Sequence, residues 1–327
     1  MDLFVTDPQG RTIARVRSFS MDMAFGADEN DFDLSLGERC EGIGAGSLVF
    51  VPGTEYGGVI GKLKPNRTKY GDGIEYSGQT WSGILDDHVI EPPSGSAYRT
   101  MSGDADKVLG QIVDLLGLSG TFSAESYSGI HVSHSFRYAS AYSGIVDMLS
   151  EAGARLRMAW DTKARRCVLS AVKAKDWGDV PGVSGSTAYS AVLDYRPYNH
   201  LIALGKGEGT ARAVYNLYSD ANGNFSERKS MAGLDERTYV YDYSNAELED
   251  LKVKAAEKLA KLRQTNSIDV DMDSTAGVAV GDTVTAYSPT AGIATTGTVT
   301  KLTVKVKDGH ATVTPGFEAR ADKVDFS

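Results

Sequence analysis

Gly46-Ser47-Leu48-Val49-Phe50-Val51, Gly58-Val59-Ile60-Gly61-Lys62-Leu63 and Asp72-Gly73-Ile74-Glu75-Tyr76 follow one another near the start of the chain. Near its end stand Gly281-Asp282-Thr283-Val284-Thr285-Ala286, Gly297-Thr298-Val299-Thr300-Lys301-Leu302 and Asp308-Gly309-His310-Ala311-Thr312-Val313. Each set reads as a strand, a return strand ending in Lys-Leu, an Asp-Gly turn and a third strand. Two readings stand at this point. Hairpin turn chemistry by itself generates such matches, and a chain that builds one small β module twice generates them too. In the second case a ring contains twice as many modules as subunits.

Outward from these stretches, the first 90 or so residues read as strands. Asp7-Pro8-Gln9-Gly10 is a turn, and Phe32, Leu34 and Leu36 alternate with Asp33 and Ser35 as in a half-buried strand. Glu91-Pro92-Pro93-Ser94-Gly95-Ser96 marks a boundary. A helix capped by Asp104 follows, with Val108, Leu109, Ile112, Val113 and Leu116 on one face and Gly117 as its stop. A second starts after Ser140 and presents Ile145, Met148, Leu149 and Ala152 before Gly153. Strands at 156–160 and 166–170 flank a turn at Asp161-Thr162-Lys163, so this block reads as α/β. Gly178 to Ser186 is a second boundary, and strands at 199–205 and 212–218 come after it. A helix over 245–263 has Ser244 and Glu247 as a capping box, acidic residues at its start and basic residues at its end. From Ile268 the chain is β again.

Composition narrows function by exclusion. The 327 residues are 41% hydrophobic and 24% charged, a globular balance with room for two or three cores. A net charge of -9 argues against a surface that grips nucleic acid or an anionic membrane. The two cysteines, Cys40 and Cys167, fit neither a disulfide framework nor a metal pair and read as free thiols. No signal peptide and no apolar run of about 18–20 residues is visible, so a soluble protein made in the cytoplasm is expected.

Catalytic vocabulary is sparse. Gly205-Lys206-Gly207-Glu208-Gly209 lacks the Lys-Ser or Lys-Thr and the following helix of a phosphate loop. His131 and His134 on one strand point to opposite faces and would not chelate one ion. Asp269, Asp271 and Asp273 alternate along a strand without a calcium-loop pattern. Neither a zinc helix motif nor a serine elbow occurs. No catalytic residue, cofactor or metal site is assigned.

The order of the pieces resembles the trimeric tail hub of bacteriophages, the baseplate-hub module also found at the start of tail-associated lysins. Four stretches carry the resemblance: Phe32–Leu36 leading into Gly46–Val51; Gly78-Gln79-Thr80-Trp81-Ser82-Gly83-Ile84-Leu85, similar to a strand of long-tailed phage hubs; Tyr198–Glu208 with Arg212 and Leu217-Tyr218; and Gly281–Val284 through Gly292, Val299 and Asp308-Gly309. Together they span nearly the whole chain.

The resemblance implies a mainly β, α+β chain with two similar small antiparallel β-barrel domains and α/β insertions. The expected division is a first tube-like barrel over 1–95 and an α/β domain over 96–183. A second tube-like barrel takes 184–204 and 265–327, and an insertion over 205–264 packs its helix with the α/β domain. Segments 46–76 and 281–313 should superpose by about a 60° rotation about a trimer axis. The resemblance also implies a homotrimer in the virion tail, with a distal tail or tube protein above, the tape-measure protein, a tip, spike or receptor-binding protein below, and DNA passing without specific binding. Asp28, Glu29, Asp31 and Asp33 are the candidate residues lining an acidic lumen. The sequence runs only a short way past Phe317, and a lysin activity is not expected. A peptidoglycan-degrading lysin and a carbohydrate-binding host-recognition module are the alternatives.

Overall fold

The computed structural model describes all residues except 28, 38–39, 69–70, 178–188, 193, 195, 222, 230, 264–266, 271–276, 289–292, 308 and 324–327. The expected boundary at 178–186, and Asp271 and Asp273 of the acidic alternation, lie outside the described residues. The protein is α+β and mostly β. It divides into one unit formed by 1–188, 270–286 and 298–317, and a second formed by the remaining stretches between 189 and 327.

In the first unit, β1 (Leu3–Thr6), β2 (Thr12–Val16), β3 (Phe19–Gly26), β4 (Asp31–Leu36), β5 (Leu48–Phe50), β6 (Gly57–Thr68) and β7 (Gly71–Thr80) come first. Alternation drives them. Along β3, Phe19, Met21 and Met23 are buried while Ser20 and Asp22 are exposed, and β4 buries Phe32 and Leu34 between Asp31, Asp33 and Ser35. Next come α1 (Trp81–Asp86), β8 (Val89–Ile90), β9 (Arg99–Asp104), α2 (Ala105–Leu115), β10 (Phe122–Ala124), β11 (His131–Phe136), β12 (Ala139–Ser140), α3 (Ala141–Glu151), β13 (Ala154–Asp161) and β14 (Arg166–Lys173). Asp104 and Ser140 cap α2 and α3 as expected, accepting from Asp106 N and Ser143 N. The expected strand at 78–85 is instead the end of β7 followed by α1. Thr80 caps this helix by accepting from Gly83 N, and the turn buries Trp81.

The chain continues through β15 (Tyr189–Val192), β16 (His200–Leu204), β17 (Val214–Ser219), β18 (Phe225–Ser226), β19 (Thr238–Asp242), α4 (Leu248–Arg263) and β20 (Ser267–Val270), and closes with β21 (Thr283–Ser288), β22 (Ile293–Lys307) and β23 (His310–Lys323). α4 starts at Leu248 and not at 245, and the Glu247 carboxylate of the expected box pairs with Lys206.

The repeat seen in the sequence is present in the backbone bond by bond. Gly46 N donates to Ile60 O and Ile60 N to Ser47 O, each at 2.8 Å. Gly281 N donates to Val299 O and Val299 N to Asp282 O, again at 2.8 Å. Ser47 N reaches Gly44 O, and Asp282 N reaches Ala279 O, at 3.0 Å in both. Even the side chains match: Gly44 N donates to Ser47 Oγ and Ala279 N to Asp282 Oδ2, at 3.1 Å each. Gly46 and Gly281 hold positive φ, 79° and 93°, a turn conformation that favours glycine. Both copies continue as three-stranded meanders, β5-β6-β7 and β21-β22-β23.

The two expected barrels are not what the described strands form. They make one open ten-stranded sheet in the order β2-β1-β5-β6-β7-β4-β3-β22-β21, with β23 on β22. The reason is β3, which pairs with β4 on one edge and with Lys301–Lys307 of β22 on the other. The long strand of the second copy therefore extends the sheet of the first.

The expected division at 95/96 does not separate two cores. Phe50, Trp81, Leu85 and Ile90 pack in one buried cluster with Leu109, Ile112, Phe122, Ile145 and Leu169. An aromatic stack runs through it, Phe4 to Phe50 at 5.6 Å, Phe50 to Trp160 at 5.1 Å and Trp160 to Trp81 at 5.7 Å between ring centres.

In the second unit, the sheet β18-β17-β16-β19 packs on α4 through Leu201, Ala203, Leu217, Leu251, Ala255 and Leu259. β16 therefore groups with β17, β19 and α4, where the sequence reading assigned it with 265–327. Its alternate apolar residues match the apolar stripe of α4, and that burial decides its place.

Candidate assembly interface

The solvent face of the large sheet contains three of the four acidic candidates; Asp28 lies outside the described residues. Asp31 and Asp33 project from β4 as expected, and Glu29 sits in the β3–β4 turn. They do not form an acidic surface. Lys301 Nζ lies 2.9 Å from Glu29 Oε2, and Lys64 Nζ lies 3.6 Å from Asp33 Oδ1. Asp33 stands opposite Asp22 across the ladder, a like-charge pair that would be unfavourable by itself. Lys305, whose Nζ is 3.4 Å from Asp22 Oδ2, and Lys64 relieve it from either side. The alternation that read as acidic along β4 is thus interleaved with lysines from β22 and β6. Those lysines are far away in sequence, so no local pattern could reveal them.

A second polar cluster is buried. Asp282 is fully buried, and beyond capping its own turn it accepts from Lys175 N at 2.8 Å and Trp177 Nε1 at 3.1 Å. Arg155 Nε is 3.0 Å from Asp282 Oδ1 as an ion pair, but its N–H is not aimed along that contact and makes no hydrogen bond. Arg155 Nη1 also reaches Glu55 Oε1 at 3.4 Å. Burial pushes the Glu55 carboxyl above the usual range, and the Arg155 guanidinium pulls against that rise. In copy one, Ser47 occupies the same turn position without a charge. The acid in copy two therefore fastens the segment after β14 and the strand β13 to the second meander.

His131 and His134 lie on β11, and His134 Nδ1 is 3.0 Å from Glu151. His200 is buried, with Nδ1 at 2.9 Å from Glu236 Oε1 and 3.0 Å from Thr238 Oγ1, and Nε2 at 3.0 Å from Asn216 Oδ1. It ties β16 to the stretch before β19, a role the sequence reading did not single out because its partners lie 16 to 38 residues away. Gly205–Gly209 links β16 to β17. Cys40 and Cys167 are free, and burial raises both thiols, most strongly the fully enclosed Cys167. Among the described residues no cluster of His, Cys, Asp and Glu could hold a metal ion, and no helix is long and apolar enough to cross a membrane.

One edge of the sheet is unfinished. β6 pairs with β7 along its length, but β5 covers its other side only as far as Ile60. From Lys62 that edge has no strand beside it among the described residues, and residues 61–65 are exposed. Open backbone donors and acceptors of this kind are a template for pairing with another chain.

No protein-family model and no curated protein matches the chain. Solved structures do. The tail protein from Neisseria meningitidis MC58 aligns over 97% of this chain and 96% of its own, with a TM-score of 0.51 at 15% identity. The prophage MuSo2 43 kDa tail protein from Shewanella oneidensis aligns over 97% of this chain and 98% of its own, with a TM-score of 0.53 at 13% identity. Over nearly its whole length, then, the chain has the fold of phage tail proteins.

Proposed function

We propose that the chain is a structural protein of a phage tail, a hub at the distal end in which three copies make a ring of six similar modules. The duplicated turn and meander support this most directly. Two copies of one module per chain turn threefold symmetry into approximate sixfold symmetry, which lets one ring meet a sixfold tube above and a threefold tip or spike below. The fold shared with two tail proteins supports the same setting. In this reading the hub also meets the tape-measure protein and lets DNA pass without gripping it. It performs no catalytic step.

Light scattering on the full chain tests the assembly: three chains of 34.9 kDa give 3 × 34.9 = 104.7 kDa. A species that stays at one chain at every accessible concentration would overturn the ring. Clearing of peptidoglycan by the pure chain in a zymogram would replace the structural reading with a lysin.

A further inference from the structure

The two copies differ at one edge, and the difference points to what covers it. In copy two, β23 takes one edge of β22. The other edge is shared by β21, as far as Val299, and β3, from Lys301 to Lys307. In copy one, β7 takes one edge of β6 and β5 part of the other, and among the described residues no strand occupies the place of β3. The side chains register the same gap. Leu302 lies under β3 opposite Phe25 and is 2% exposed, whereas its counterpart Leu63 is 49% exposed although it pairs with Tyr76 on the apolar face.

Chain order identifies the missing strand. β3 pairs with β4, and β4 leads through residues 37–47 into the first meander. β15 pairs with β20, and β20 leads through residues 271–282 into the second. Ile268-Asp269-Val270 in β20 repeats the apolar-Asp-apolar order of Phe32-Asp33-Leu34 in β4. β15 is thus the second copy's β3, and among the described residues it pairs with β20 alone, in a two-stranded sheet.

Resting on the ring reading, we propose that β15 of one copy of this chain adds antiparallel to the Lys62–Thr68 edge of β6 in another, as β3 adds to β22 within one chain. Each subunit then presents one donor strand and one acceptor edge. Such an interface is heterologous, and only closure of the ring removes both free edges. Lys62 and Lys64, exposed beside the acceptor edge, discourage promiscuous strand pairing before assembly.

Leu63→Arg in the full chain tests this. Leu63 is half exposed, so the variant should melt like the parent monomer, yet its assembly should need at least about ten times the concentration, about 1.4 kcal/mol. Its β15 remains intact, so added in excess to the parent chain it should cap open ends and lower the mean mass. Hydrogen exchange of the assembled parent chain should protect the amides of 62–68 and 189–192 relative to the variant. If the parent chain forms a trimer while Leu63→Arg assembles equally well and 62–68 exchange freely, the strand assignment is wrong and the ring survives. If the parent chain never assembles, the ring reading fails and takes this proposal with it.

Discussion

Ser47 and Asp282 perform one backbone task with different side chains, and that contrast separates turn formation from anchoring. Ser47 is sufficient to close the turn in copy one, so Asp282→Ser should keep the second turn. It should lose the acceptor for Lys175 N and Trp177 Nε1 and leave the Arg155 guanidinium with Glu55 alone. Glu55 still holds the guanidinium, so the loss comes from the orphaned buried donors and the weakened pair, and denaturant unfolding should report a destabilisation of about 2–3 kcal/mol. The reverse change, Ser47→Asp, puts a carboxylate at a position that is 1% exposed and should also destabilise. Asp104 makes a pH argument at the same scale. Desolvation raises its carboxyl, but donors from Ser128, Gly129 and Asp106 outweigh that and hold it below the usual carboxylate range. A depressed folded value stabilises the protein above the unfolded value and stops doing so as pH falls through the folded one. Asp104→Asn should therefore flatten the acid limb of the stability curve by about one proton, as measured by melting between neutral and acid pH.

Elements meet where close approach forbids a side chain. Gly26 ends β3 with φ of 136°, and a Cβ there would lie 2.2 Å from Thr300 O of β22. Gly26→Ala should loosen the joint between β3 and β22 and cost about 3 kcal/mol in denaturant unfolding. In the second unit, Leu251→Ala removes a fully buried side chain from the α4 interface and should cost about 2–5 kcal/mol in the calorimetric transition of that unit. Elements of this kind divide cleanly by how far the sequence could see. The caps at Asp104 and Ser140, the alternation in β4 and the β13–β14 hairpin depend on neighbours a few residues away and were legible. The turn repeat was legible because glycine at positive φ and the paired return strand recur in order. The joining of β3 to β22 was not, since it sets residues near 20 against residues near 305. The helix at Trp81 was hidden by its β-prone composition: burial against Trp160 and Phe122 outweighs the intrinsic preference of Trp and Ile for strands. The sharing of β16 with α4 likewise depends on packing, which composition at a Gly- and Ser-rich boundary does not record.

At the scale of the whole molecule, the acidic balance of the chain does not translate into an acidic sheet face. Lys64, Lys301 and Lys305 compensate Asp33, Glu29 and Asp22 within one subunit, so the proposed conduit would offer DNA alternating charges that neither attract nor repel it strongly over a Debye length of about 8–10 Å. This changes which substitution can probe the conduit. Reversing Asp33 sets a new cation beside Lys64, and reversing Glu29 does the same beside Lys301; both should weaken the sheet before any effect on DNA could be read. Asp31 is exposed and pairs across the ladder with uncharged Gln79. Asp31→Lys should therefore leave folding within about 0.5 kcal/mol of the parent chain and assembly intact. If the solvent face of this sheet lines the channel, three copies add three cations at one level of the lumen, and genome ejection should slow, most visibly at low salt where phosphate attraction is least screened. Ejection at the parent rate from particles carrying Asp31→Lys, at both low and high ionic strength, would remove this face from the lumen.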